Sequence, residues 1–121
     1  PGSADFQKLP IRDQKTLYES VLTTSQSWAN DSQLMFVIGA TQADSLKRIR
    51  QLVPEHFLLV PGVGAQGGSL SDVMEYGMNS SGGLLINSSR GIIYASNNTD
   101  FAEVARKEAE KLQKEMATFF S

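Results

Sequence analysis

Three short, almost wholly apolar runs constrain this chain most: LMFVIGAT (34–41), FLLV (57–60) and GLLINSS (83–89). Each is too short for a buried helix and rich in strand formers. The segments around them have helical spacing instead. Leu17, Val21, Leu22 and Trp28 recur near helical intervals within residues 11–30. Leu46, Ile49 and Leu52 or Val53 do so within residues 42–54, with Asp44 near the start and Pro54 as a stop. SLSDVMEYGM (69–78) reads as a short helix, and residues 99–120 as a long amphipathic one capped by Thr99 or Asp100. The predicted order is therefore α-β-α-β-α-β-α. Near-continuous apolar strands separated by about one helix each are what a parallel sheet with crossover helices requires, so the fold class is α/β. A doubly wound sheet and part of an eight-stranded barrel both satisfy this pattern, and periodicity does not separate them.

Composition removes several functions. At 121 residues, 40% hydrophobic and 20% charged, the chain suits one globular domain or a piece of one. The net charge of −2 provides no basic field, and the charged run 106–115 mixes both signs as a solvated helix face does, so nucleic acid is excluded as a partner. With no cysteine and one histidine, thiolate chemistry and a His/Cys zinc site are excluded within the chain, leaving no metal centre to expect. No run has transmembrane length and none resembles a signal peptide; the expectation is a cytoplasmic protein without a membrane partner.

The glycine-rich polar breaks fall after the second and third strands, in PGVGAQGGS (61–69) and NSSRGIIYAS (87–96). In both candidate architectures function sits beyond the carboxyl ends of strands, so two consecutive loops converge on one site. Glycines allow a backbone to approach a phosphate closely, and Gln66 adds an amide donor. Arg90, just past the third strand, can present two N–H groups to two phosphate oxygens. Alone, such a loop is ordinarily a turn and such an arginine a surface ion pair. Both in successive loops favour an anion site.

At this point the sequence resembles a known family. PGVGAQGG (61–68), followed after a helix and a strand by INSSRGIIYAS (86–96), is similar to the carboxyl-terminal half of the orotidine 5′-phosphate decarboxylases, in particular their longer microbial branch. PGSADFQ (1–7) and VIGATQADSLKRIR (37–50) are similar to the same branch, so the resemblance covers nearly the whole chain. It implies a (β/α)8 barrel, of which residues 1–121 form the carboxyl-terminal half, about strands six to eight with their helices. It also implies a homodimer that converts orotidine monophosphate to uridine monophosphate without metal or organic cofactor. By the same resemblance Gln66, Arg90 and Gly91 bind the substrate phosphate, the last through its backbone N–H, and Pro61, Gly62 and Val63 line the pyrimidine end. The stretch 65–71 is the lid expected to close over the phosphate.

One departure matters. The family's Lys/Asp array comes mainly from an Asp-x-Lys-x-x-Asp motif, and this chain has none; Asp13-Gln14-Lys15 is followed by Leu17 and Tyr18 where the second Asp should stand. No catalytic residue is therefore assigned here, the amino-terminal half of the barrel is expected to be absent from the chain, and the chain alone is expected to be inactive. Another phosphosugar-binding barrel enzyme, or a non-catalytic phosphate-binding half-barrel, are the alternatives. Trp28 is expected to pack between helix and barrel, His56 to lie in a helix-to-strand loop, and Met74, Tyr76 and Met78 to fill core or loop. Thr41 and Gln42 end the first strand at the functional face.

Overall fold

The computed structural model describes residues 4–11, 15–40, 43–64 and 68–120. Its elements are α1 (Ala4–Gln7), α2 (Leu17–Ser25), β1 (Phe36–Val37), α3 (Ala43–Leu52), β2 (Leu58–Pro61), α4 (Leu70–Gly77), β3 (Leu84–Asn87), α5 (Arg90–Ile93) and α6 (Phe101–Ala117). The three strands form one sheet in the order β1-β2-β3. Both pairings are parallel, with Leu58 opposite Phe36 and Leu84, and Pro61 opposite Asn87. This is the predicted alternation, with two four-residue helices added. The first strand is shorter than its apolar run, yet its ladder continues: Ile38 N–H donates to Leu59 O at 2.9 Å and Ala40 N–H to Pro61 O at 3.1 Å.

The sheet buries one face. Leu58, Val60 and Leu84 lie against Leu46, Ile49 and Val53 of the α3 segment and Leu70, Val73 and Met74 of α4 in one apolar cluster. Met74 thus fills the core as expected, with Tyr76 and Met78 packed at its margin. The opposite face is open: Val37, Leu59 and Leu85 share one register row, and Val37 and Leu85 are 65% and 46% exposed. Helices α2 and α6 overhang the two sheet edges. A cavity of about 410 Å³ separates α2 from β1, lined by Leu17, Val21 and Val37 among others. Another of about 550 Å³ separates α6 from β3, lined by Ile86, Leu112, Met116 and Phe120.

The first long helix is shorter than its spacing predicts, Leu17–Ser25 rather than 11–30, because a capping box fixes its start. Thr16 donates from N–H (2.8 Å) and Oγ1 (3.1 Å) to Glu19 Oε2, while Arg48 Nε donates to Glu19 Oε1 at 2.7 Å. Asp13 and Gln14 lie outside the described residues. Beyond the helix, Trp28 is 74% exposed and packs against no core. The long last helix begins at Phe101 after its N-cap Asp100, and its charged run is the solvated face expected: Arg106 bonds to Glu103 and Glu110, and Lys107 to Glu103.

At the amino-terminal ends of the strands one side chain ties four segments together. Arg50 donates through Nε to Gly77 O (2.8 Å), through Nη1 to Val53 O (3.0 Å), Pro54 O (3.1 Å) and His56 O (2.7 Å), and through Nη2 to Gly83 O (3.1 Å). These carbonyls end α3, end α4 and precede β2 and β3, where backbone acceptors lack helical partners. Burial pushes the guanidinium pKa below its ordinary value, with Glu55 partly opposing the shift. His56, in the helix-to-strand loop as expected, is buried with its ring 5.4 Å from that of Phe36.

Two predictions follow from these contacts. An ammonium cannot serve five carbonyls at once, so Arg50→Lys should destabilise the fold by about 3 kcal/mol in chemical denaturation, each orphaned acceptor costing ~1–3 kcal/mol before water compensates. A midpoint unchanged from the parent would show the network to be dispensable. At Glu19, the Thr16 backbone N–H and then Arg48 hold the carboxyl pKa below its ordinary 4.5, against the opposing effect of burial. Its contribution is therefore complete above pH 4.5 and is lost as pH falls through the lower folded value. Glu19→Gln should cost on the order of 1 kcal/mol at pH 7 and reduce the acid dependence of unfolding below that range. Parallel stability–pH curves for parent and variant would contradict the assignment.

Candidate phosphate-binding site

Both glycine-bearing loops emerge at the carboxyl ends of β2 and β3, and the structure brings them together. Val63, Gly64 and Gly68 of the first and Ser88, Gly91 and Ile92 of the second line a shared cavity of about 320 Å³, floored by α6. Ala65, Gln66 and Gly67 lie outside the described residues, so the described part of the first loop is its two ends. Those ends close on each other: Gly64 N–H donates to Gly68 O at 2.9 Å, and Val63 bridges Gly68.

The glycines have separate physical reasons. Gly62 and Gly64 have φ of 91° and 76°, a region costly for any residue with a Cβ. Gly68 is needed for space. A Cβ there would stand 2.4 Å from Ala40 Cβ and 2.9 Å from Gly62 O. The loop thus returns against the end of the first strand, and only a bare backbone permits that approach. Ser69 then caps α4, accepting from Asp72 N–H at 3.2 Å.

The second loop turns directly into α5. Ile92 and Ile93 N–H both donate to Ser89 O, at 3.1 and 2.8 Å, whereas none of the described hydrogen bonds engages the N–H of Arg90 or Gly91. Arg90 is exposed, and its guanidinium has no partner among the described residues. A Cβ on Gly91 would lie 3.2 Å from Ser88 Oγ, so the loop is tight there as well. Of the residues expected at the ring end, Pro61 is the last residue of β2 and Gly62 begins the turn. Val63 is 2% exposed and its side chain belongs to the core cluster, so it offers the site chiefly its backbone. Thr41 and Gln42 lie outside the described residues. Two residues not singled out from the sequence join the site: Gly68, through its close approach to Ala40, and Asn87, which the register places beside Pro61.

A parallel sheet helix-covered on one face, with paired loops at the carboxyl strand ends, fits part of a (β/α)8 barrel as well as a doubly wound sheet, and relatives decide between them. Over 116 residues the chain is 59% identical to the orotidine 5′-phosphate decarboxylase of Flavobacterium johnsoniae and 55% identical to that of Bacteroides fragilis, in each case 96% of this chain and 42% of the relative. Among solved structures, Leishmania donovani OMP decarboxylase matches at 33% identity and a TM-score of 0.76, over 99% of this chain and 45% of that one. UMP synthase of the same organism matches at 36% identity and 0.75, over 93% of this chain and 25% of that one. No protein-family model matches. The chain is a homologue of the orotidine 5′-phosphate decarboxylases, as its loop motifs imply, and it spans about two fifths of the length of the curated relatives it matches.

The packing at Gly68 is directly testable. Gly68→Ala must displace either Ala40 or the 62–64 turn, and should cost about 1–3 kcal/mol in thermal or chemical denaturation. The paired change Gly68→Ala with Ala40→Gly should recover part of that loss. No recovery would mean that the clash with Gly62 O, not Ala40, sets the cost.

Proposed function

We propose that these residues are the phosphate-binding half of an orotidine 5′-phosphate decarboxylase, which converts orotidine monophosphate to uridine monophosphate and CO2. The observation that carries the reading is the cavity shared by Val63, Gly64 and Gly68 of the first loop and Ser88 and Gly91 of the second, with Lys111 of α6 also in its wall; Arg90, next to Gly91 in the chain, has no side-chain partner among the described residues. In this reading Arg90 clamps the phosphate, Gly91 offers an unengaged N–H, and Gln66 adds an amide from the lid. Pro61, Gly62 and the Val63 backbone meet the pyrimidine. The remaining strands of the barrel, carrying the Lys/Asp array, come from sequence outside these 121 residues. They would cover the open apolar face and pair with both sheet edges, where α2 and α6 already overhang. The complete protein would act as a homodimer in the cytoplasm, without metal or organic cofactor. The chain by itself would be inactive.

The chemistry explains why so much structure serves a group that does not react. Breaking the C6–carboxylate bond leaves an electron pair on C6 of the ring, which a lysine of the array would stabilise and then protonate. Phosphate contacts are remote from that carbon. Their binding energy can close the lid and hold the reactive geometry, and so lower the barrier without touching the breaking bond.

The test is Arg90→Ala in the complete protein, assayed on orotidine monophosphate and on orotidine, which lacks the phosphate. If Arg90 acts through the phosphate, kcat/KM should fall at least tenfold, about 1.5–3 kcal/mol, for the phosphorylated substrate and hardly change for the other. The coupling energy of the two-by-two comparison measures the contact. Equal losses on both substrates, with a lowered Tm, would move Arg90 to the scaffold.

A further inference from the structure

We infer that Asn87 reads the base of the substrate, a role that rests on the function proposed above and extends it to a residue outside the loop motifs. The register carries the argument. In a parallel sheet, paired residues point to the same face, so Leu59 and Leu85 form one row on the open face and Pro61 and Asn87 the next, nearer the carboxyl ends. The partners of the helix-covered face confirm the alternation: Leu58 and Val60 are fully buried, and Leu84 is 8% exposed. Among the described strand residues, the open face is thus Val37, Leu59, Pro61, Leu85 and Asn87. Asn87 is its single polar member.

A lone amide on a face that a barrel would enclose carries a desolvation cost unless something bonds to it. Asn87 Oδ1 accepts from Ser89 Oγ at 3.2 Å, while none of the described residues accepts from its Nδ2. Both donor hydrogens remain available. Adjacent strands lie about 4.8 Å apart, so a ring resting on Pro61 is within reach of this amide. Three residues further on, Arg90 is assigned the phosphate. The spacing matches a nucleoside monophosphate, with charge at the rim and a ring carrying carbonyl acceptors one layer below. The geometry gives Asn87 the donor role, from Nδ2–H to a ring carbonyl.

The experiment uses the complete protein with Asn87→Ala and the near-isosteric Asn87→Asp, which keeps an oxygen but removes the NH2 donor. Both should lower kcat/KM for orotidine monophosphate about five- to tenfold. Inhibition by ribose 5-phosphate, which has the phosphate and sugar but no base, should stay within twofold of the parent. Arg90→Ala should weaken both. If Asn87→Ala matches the parent on orotidine monophosphate, or loses equally against ribose 5-phosphate, Asn87 is part of the turn through Ser89 and this inference is overturned alone. A parent protein that fails to turn over orotidine monophosphate overturns the proposed function and this inference together.

Discussion

The arrangement depends on one guanidinium. Arg50 collects carbonyls from the end of α3, the loop before β2, the end of α4 and the residue before β3, all at the amino-terminal ends of the strands. Gly83 O accepts from both Arg50 and Leu58 N–H, so the start of the β2–β3 ladder and the arginine share one acceptor. Fixing the strands at that end fixes their register. Register in turn decides which residues stand side by side at the other end, where Pro61 meets Asn87 and the two loops leave the sheet. An arginine suits the task because its planar fork serves several acceptors at once and remains charged despite burial.

This separates the Arg50 network from the candidate site along the strand axis. The Arg50 network and the Phe36–His56 ring contact lie at the amino-terminal ends, whereas Arg90, Gly91 and residues 61–64 lie at the carboxyl-terminal ends. Strain follows the same division: among the described residues, the left-handed glycines Gly62 and Gly64 serve the loop of the candidate site, and Gly82 and Gly83 serve a turn at the opposite end. The first pair turns the backbone away from the end of β2. The second brings the chain back from α4 into β3.

Much of this is legible in the sequence because its signals are periodic. The three strands and the helices between them follow from apolar spacing, and the short α4 follows from the run that begins after the loop glycines. What is not legible depends on contacts distant in the chain. The start of α2 is set by the Thr16–Glu19 capping box, which periodicity passes over and which Arg48, twenty-nine residues from Glu19, buttresses. Trp28 continues the spacing of α2 but lies past its end, and is exposed. The sequence presents the loop glycines as one class, while the structure divides them into residues of unusual φ and one, Gly68, that makes room for Ala40. Val63 has a similar lesson. Within a loop motif it reads as a ligand-facing residue, yet its side chain completes the core.

On the function proposed above, the open face accounts for a phosphate-binding half and a reacting half sharing one barrel. Along β3 and its loop the exposed residues pass from Leu85 to Asn87 to Arg90, that is, from apolar to polar to charged, over five residues. β2 runs in parallel from Leu59 to Pro61 and then to the bare backbone of the loop. A charged group at the depth of Leu85 would have to lose its water, whereas at the level of Arg90 it can be met while still partly hydrated. A phosphate is therefore best held at the rim. On the proposed function, the ring it carries would extend toward the apolar rows, where electrostatic interactions with a carbanion-like centre are stronger than in water. The order of residues along two strands thus sets the orientation of the substrate in the proposed site.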